Sequence, residues 1–343
     1  MKKLRVEEAV GLKLCHDMTK VIPGKFKGIA FKRDHVIRPE DVEELLSIGK
    51  EHVFVWEENA GEIHEDEAAV RIAQAVMGES MFHDQPQEGK TILRATDRGL
   101  FKVNRTLLRE VNSIENVTIA SMPNNFMVEK GDKLAGARII PLVIKEEKIK
   151  QLERICLANG PVFNIRPYKK LRVGVIVTGN EVYKGRIEDK FWPVIEEKLG
   201  YYETKILGQI YCPDEMAELQ KSISSYQSKG ADLIILTGGM SVDPDDLTPG
   251  AIKNSGAEIV TYGAPIQPGN MFMLAYLDDT ILMGVPGAAI HSKTTVLDVV
   301  LPRVFTGERL TKQNFIDMSE GGLCLNCKVC KYPICYFGRG VEG

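Results

Sequence analysis

A chain of 343 residues is long enough for two domains, each with a core of its own. Charged residues make up 27% and hydrophobic residues 44%, which is ordinary for a globular protein. A formal net charge of −3 provides no global basic field for nucleic acid or an anionic membrane, so both partner classes are excluded and any anion must be bound locally.

The opening MKKLRVEEAVGLKLCHDM reaches Glu7 and Glu8 before any long apolar run, so it fits neither a secretory signal nor a membrane anchor. No stretch approaches the roughly eighteen uninterrupted apolar residues of a membrane span. A cytoplasmic location is expected, and it sets the reading of the cysteines. Cys15, Cys156 and Cys212 are scattered, whereas Cys324, Cys327, Cys330 and Cys335 crowd into one short segment. In a reducing compartment such a cluster suggests metal ligation before disulfides.

Residues 1–168 lack regular strand–helix alternation and are expected to form a smaller α+β accessory domain. Apolar runs at 52–56 and 137–144 suggest strands, and EDEAAVRIAQAVMG at 65–78 has helical spacing. Gly131 and Gly136 read as turn glycines between strand-like pieces, a pattern also met in small β-barrels.

After Arg166-Pro167-Tyr168-Lys169-Lys170 the pattern changes. LRVGVIVTG (171–179), TKILGQIY (204–211) and ADLIILTGG (231–239) are near-continuous apolar strands. They alternate with helical EDKFWPVIEEKLG, where Pro193 falls in the first turn, and DEMAELQKSISSYQSKG. AEIVTYGA, MFMLAYL and ILMGVPG add strands before a last helix through VLDVVLPRVF. The expected fold over 169–312 is α/β, a mostly parallel sheet with helices on both faces. Ligands of such sheets bind at the carboxyl ends of strands, so the loops there carry the chemistry.

The strongest loop is Thr237-Gly238-Gly239-Met240-Ser241-Val242-Asp243-Pro244-Asp245-Asp246-Leu247-Thr248-Pro249. Its glycines permit positive φ and close approach of backbone N–H groups to an anion. Its three aspartates would repel a phosphate unless a divalent cation lay between them. Capping of the next helix is the competing use of Asp245 and Asp246. Thr178-Gly179-Asn180-Glu181 follows the first strand; Asp214 follows the second, where an N-cap is the default reading. Gln267-Pro268-Gly269-Asn270 and Val285-Pro286-Gly287-Ala288 are Pro-Gly turns.

The order of these motifs at successive strand ends resembles the molybdopterin-binding domain shared by bacterial MogA, MoaB and MoeA proteins and by gephyrin. The resemblance implies that Gly238, Gly239, Ser241 and Thr248 line the pocket for the pterin phosphate and dithiolene, with Thr237, Pro268, Gly269, Pro286 and Gly287 in its turns. Thr178, Gly179 and Glu181 would close one side. It implies that Asp214 and Asp246 match the family's two functional carboxylates, holding Mg²⁺ or molybdate for adenylylation in one branch and metal insertion in the other. It further implies molybdopterin as ligand or substrate, a molybdoenzyme or other assembly protein as partner, and a homo-oligomer. The segment EEAVGLKLCHDM looks like the opening of MoeA-type proteins. The rest of the N-terminal half looks instead like an accessory domain of molybdopterin-binding relatives in anaerobic bacteria.

Two turns depart from that pattern. Insertion enzymes usually carry a lysine-containing PGKP-like turn and an LPGNP-like turn, which here read Gln267-Pro268-Gly269-Asn270 and Val285-Pro286-Gly287-Ala288-Ala289. Losing one charge-assisted hydrogen bond costs ~1.5–3 kcal/mol, roughly ten- to a hundredfold in affinity. Insertion is thereby weakened as a reading, while binding is not; His291 is a candidate replacement donor. The tail 313–343 carries Cys324-x2-Cys327-x2-Cys330-x4-Cys335, which suits an iron–sulfur cluster first and four-thiolate zinc second, an unliganded tail being the third reading. Three functions stay open: cofactor assembly or carriage, a CinA-like metal-dependent ADP-ribose pyrophosphatase, and a non-catalytic cofactor sensor.

Overall fold

The computed structural model describes all residues except 23, 25, 56–59, 242, 245 and 341–343. Trp56 of the 52–56 run and Asp245 with its capping role therefore lie outside the described residues. The chain divides into two compact units. Among the described residues no helix is long and apolar enough to cross a membrane.

The first unit comprises Met1–Asp97, Lys102–Met122 and Glu129–Ile165. Near its start, Lys2–Arg5 pairs antiparallel with His52–Val55, and Val6, Leu14, Met18, Leu45 and Val53 pack a small core. Farther on, the 65–78 pattern forms the helix Glu65–Val76, burying Ala69, Ile72, Ala73 and Val76. A four-stranded antiparallel sheet accompanies it, in the order Met81–His83, Lys90–Ala95, Lys133–Ile139, Val117–Ser121. Gly131 is a turn residue with φ 91°, as expected. Gly136 is not: it lies inside the strand Lys133–Ile139, where a Cβ would meet Ile92 Cδ1 at 3.3 Å.

Glu65 opens that helix yet is only 4% exposed. Burial, reinforced by the neighbouring Asp66 carboxylate, raises its pKa to about 7, and Arg138 at 3.8 Å offsets this only in part. A carboxyl whose folded pKa lies above its unfolded value binds more protons when folded, so stability falls as pH rises between the two values, from about 4.5 to about 7. The first unit is expected to lose stability across that window, on the order of 3 kcal/mol. Glu65→Gln should flatten the dependence, which urea unfolding at pH 5 and pH 8 would measure.

The second unit comprises Arg98–Phe101, Pro123–Val128 and Arg166–Gly343. Its sheet has strands β1 (Arg172–Thr178), β2 (Lys205–Cys212), β3 (Leu233–Thr237), β4 (Glu258–Tyr262), β5 (Met273–Leu277) and β6 (Thr280–Val285). Across the sheet they run β2, β1, β3, β6, β5, β4. The first four are mutually parallel; β5 is antiparallel to β6, and β4 to β5. Helices are α1 (Asn180–Tyr183), α2 (Phe191–Gly200), α3 (Met216–Ser228), α4 (Thr248–Asn254), α5 (Ala288–His291), α6 (Val296–Phe305) and α7 (Lys312–Asp317).

The apolar runs become strands because a residue period of two sends side chains to both covered faces. Val173, Val175, Leu233, Ile235, Met283 and Val285 face one core, filled by Ile195, Leu199, Val300, Phe305 and Phe315. Ile176, Ile234, Leu236 and Leu282 face the other, filled by Leu219, Ile223, Ala251 and Ile252. The sheet is mostly parallel with helices on both faces, the expected α/β class. The chain leaves β1 for β2 on one side and returns to β3 on the other, so the carboxyl ends of β1 and β3 mark the switch point where such sheets open a crevice.

Candidate functional site

At those strand ends a cavity of about 440 Å³ is lined by the loop after β3 (Gly238, Gly239, Met240, Ser241, Asp243, Asp246), by Gly269, Asn270 and Met271, by Pro286, Gly287 and Ala288 after β6, and by Phe191 of α2. The loop leaves β3 through two left-handed residues, Gly238 at φ 86° and Gly239 at φ 53°. A Cβ on Gly238 would stand 2.3 Å from the Thr178 carbonyl oxygen, so glycine is required where the ends of β1 and β3 meet.

Thr248 and Tyr262 fix this loop. Thr248, fully buried at the start of α4, donates its hydroxyl to Gly238 O at 2.8 Å, and its N–H donates to Gly239 O at 3.2 Å. Tyr262 donates its hydroxyl to the Met240 and Ser241 carbonyls, each at 3.2 Å. The N–H groups of Gly239, Met240 and Ser241 donate to no protein acceptor among the described residues. Such unspent donors around glycines form a concave anion receptor.

The carboxylates do two different things. Asp246 lines the cavity and does not cap α4, whose N-cap is Leu247 with no side-chain cap bond. Its N–H donates to Asp243 O at 2.9 Å and its Oδ2 accepts from Asp243 N–H at 3.3 Å, a turn that holds both carboxylates at the cavity wall. Asp214 does not cap its own helix either, since α3 has Glu215 as N-cap and no side-chain cap bond. It reaches across to accept from Thr178 Oγ1 at 2.7 Å and from Asn180 N–H at 2.8 Å. Both its oxygens are thus engaged on the Thr178–Glu181 turn, outside the cavity lining.

Removing Asp214 strands two donors, each worth ~1.5–3 kcal/mol when paired with a charge. Asp214→Ala should cost about 3 kcal/mol or more of second-unit stability and loosen the 178–181 turn, measurable by thermal melting; an unchanged melt would remove its positioning role.

The sequence-derived residues therefore separate. Gly238, Gly239, Ser241, Asp246, Gly269, Pro286 and Gly287 gather around one hollow. Thr178, Thr237 and Thr248 are buried supports beneath it. Gly179, Glu181, Asp214 and Pro268 are outside the lining. Phe191 and Met271 were missed; Phe191 begins a helix whose first N–H groups are held by Asp189, and nothing in its sequence context points to the strand ends. No Lys, Arg or His lines the cavity among the described residues, which agrees with the absent lysine turn.

The four clustered cysteines line a second cavity of about 380 Å³ together with His291. Among the described residues no three His, Cys, Asp or Glu side chains stand where they could hold a metal ion.

Residues 174–306 match the family model described as a probable molybdopterin binding domain. Residues 3–57 match a separate model described as a domain of unknown function. The chain is 27% identical over 186 residues to a molybdopterin molybdenumtransferase of Haemophilus influenzae, covering 52% of this chain and 43% of that protein. It is 32% identical over 90 residues to a CinA-like protein of Mycobacterium sp. (strain JLS), covering 26% and 21%. A solved structure of the tungsten cofactor synthesizing protein MoaB from Pyrococcus furiosus matches at 21% identity and a TM-score of 0.35, covering 40% of this chain and 94% of that one. The chain spans less than half the length of these two curated relatives.

Proposed function

We propose that this protein binds molybdopterin in the cavity at the carboxyl ends of β3 and β6 and serves in the assembly or handling of the molybdenum or tungsten cofactor. The observation that carries the reading is the placement of the loop amides at 239–241, which donate to no acceptor among the described residues, and of Asp243 and Asp246 around one hollow, inside the segment that matches a molybdopterin-binding family model. The amides would receive the pterin phosphate, and the apolar faces of Phe191 and Met271 would exclude water from the ring.

Two carboxylates with no basic partner among the described residues suit a divalent cation that completes its shell with phosphate oxygens and water. Bound Mg²⁺ would supply the positive charge that lets a phosphate sit beside Asp243 and Asp246. Because Gln267 occupies the turn where insertion enzymes carry lysine, binding, carriage or adenylyl transfer fits these residues better than molybdate insertion. Asp214 would act through the 178–181 turn rather than on the ligand. The cysteine segment is, on this reading, an accessory metal site for an iron–sulfur cluster or zinc.

Anaerobic expression followed by mass spectrometry of the bound small molecules tests this directly, with a pterin phosphate at about one per chain expected. The second reading, a CinA-like pyrophosphatase, is motivated by the 32% identity over 90 residues. Metal-dependent release of AMP from ADP-ribose with no co-purifying pterin would replace the first reading by the second.

A further inference from the structure

The cysteine segment is built onto the walls of the cavity just described. Its base closes where Gly338 N–H donates to Gly321 O at 3.0 Å, and Phe337 beside it is 3% exposed. On the leading side, Gln267 N–H donates to Gly322 O at 2.7 Å and Cys324 N–H to Gln267 O at 2.8 Å, a parallel bridge to the Gln267–Asn270 turn. On the trailing side, the Arg339 guanidinium donates to the carbonyls of Pro333, Cys335 and Asn125, and lies 4.3 Å over the Phe126 ring. Between these pinned stems, residues 324–335 form neither helix nor strand, and their four cysteines surround one cavity.

Two elements serve both hollows. Helix α5 presents Ala288 to the amide-lined cavity and His291 to the cysteine-lined one. The 267–271 turn contributes Gly269, Asn270 and Met271 to the first while Gln267 is bridged to Cys324. That turn is also tied to the start of α6, since Pro268 O accepts from Val296 N–H at 3.2 Å. Two residues earlier, the Thr294 hydroxyl lies 3.1 Å from Cys330 Sγ. Cys324 and Cys330 are thus each linked to backbone that shapes the neighbouring cavity.

We propose that Cys324, Cys327, Cys330 and Cys335 ligate one thiolate-bound metal centre, zinc or an iron–sulfur cluster, and that its occupancy sets how tightly the adjacent cavity holds molybdopterin. The regulatory half rests on the pterin reading of that cavity. Four soft donors within one short loop are the ligand set such centres take. The thiols must draw together to ligate, each releasing its proton to solvent, and no helix or strand in 324–335 opposes that movement. Drawing in Cys324 and Cys330 pulls on the Gln267 turn and on Thr294, so metal loading restrains Gly269, Asn270 and Met271 before the pterin arrives. A pre-ordered cavity binds with a smaller loss of conformational entropy.

The test uses the full chain, purified anaerobically, stripped with a chelator and reloaded either with Zn²⁺ alone or with Fe²⁺, Fe³⁺ and sulfide. Metal and sulfide analysis identifies the centre, and titration with molybdopterin reads the coupling. Loaded protein should bind molybdopterin roughly tenfold more tightly than stripped protein, within the usual range of coupling between two sites. A C327S/C335S protein should lose the metal and bind like stripped protein under all conditions. Amide hydrogen exchange gives the independent readout: loading should slow exchange at 267–271 and 294–296. Full metal content in C327S/C335S overturns the site, and equal molybdopterin affinity in loaded and stripped protein overturns the coupling. If neither form binds molybdopterin, the pterin reading fails and exchange alone decides the coupling: slowing at 267–271 supports it, and unchanged exchange ends it.

Discussion

Gly238→Ala is expected to abolish molybdopterin binding and lower the melting temperature of the second unit by about 6–12 °C, while Gly256→Ala leaves binding intact. Both glycines are left-handed, at φ 86° and φ 88°, so each substitution incurs a similar backbone cost of about 1–2 kcal/mol. They differ in surroundings. A Cβ on Gly256 meets nothing within 4 Å, whereas one on Gly238 would lie 2.3 Å from the Thr178 carbonyl oxygen. That oxygen belongs to strand-end backbone tied by Asp214 through Thr178 Oγ1 and Asn180 N–H, so it cannot move without parting β1 from β3. A total near 3 kcal/mol follows for Gly238, at roughly 2–4 °C per kcal/mol for a unit of this size. Because the same residue launches the 239–241 amides, affinity should fall at least about a hundredfold. Calorimetric melting and molybdopterin titration of the two variants side by side measure both effects; similar behaviour would detach the Gly238 turn from binding.

Asp246→Ala separates chemistry from binding. Among the described residues the side chain makes one protein hydrogen bond, the 3.3 Å contact from Asp243 N–H at the loop surface, so its loss should change stability by less than about 1 kcal/mol. On the proposed function, its carboxylate holds the cation beside the phosphate. Adenylyl transfer, or pyrophosphate cleavage on the second reading, should therefore fall about a hundredfold or more, with molybdopterin affinity kept within about tenfold. Asp243→Ala should act in the same direction more weakly, since Asp243 is the more exposed of the two. Turnover unaffected in Asp246→Ala would remove the residue from the chemistry; complete loss of binding would make it a ligand contact.

The sheet was readable because its signal is local. Val173, Val175, Ile234 and Ile235 belong to runs that no amphipathic helix would carry, and the glycines ending them mark the strand ends. The aspartates were read less well. An acidic residue before a helix has a default use as a cap, yet Asp214 spends its carboxylate on a turn 34–36 residues earlier, a pairing that exists only once β1 and β2 are side by side. The grouping of Arg98–Phe101 and Pro123–Val128 with the second unit was equally hidden, because Phe126 pairs with Phe101 across a distance in sequence that no period reports. The cysteine spacing was plain, but its attachment to Gln267 was not: a single parallel bridge leaves no pattern in either segment.

Amide hydrogen exchange with and without molybdopterin, in the presence of Mg²⁺, examines the cavity itself. Slower exchange confined to 238–246, 269–271 and 286–288 is the predicted result, with Gly239, Met240 and Ser241 most protected. Protection absent from those three segments, or found only within residues 1–97, would contradict a pterin site at the strand ends.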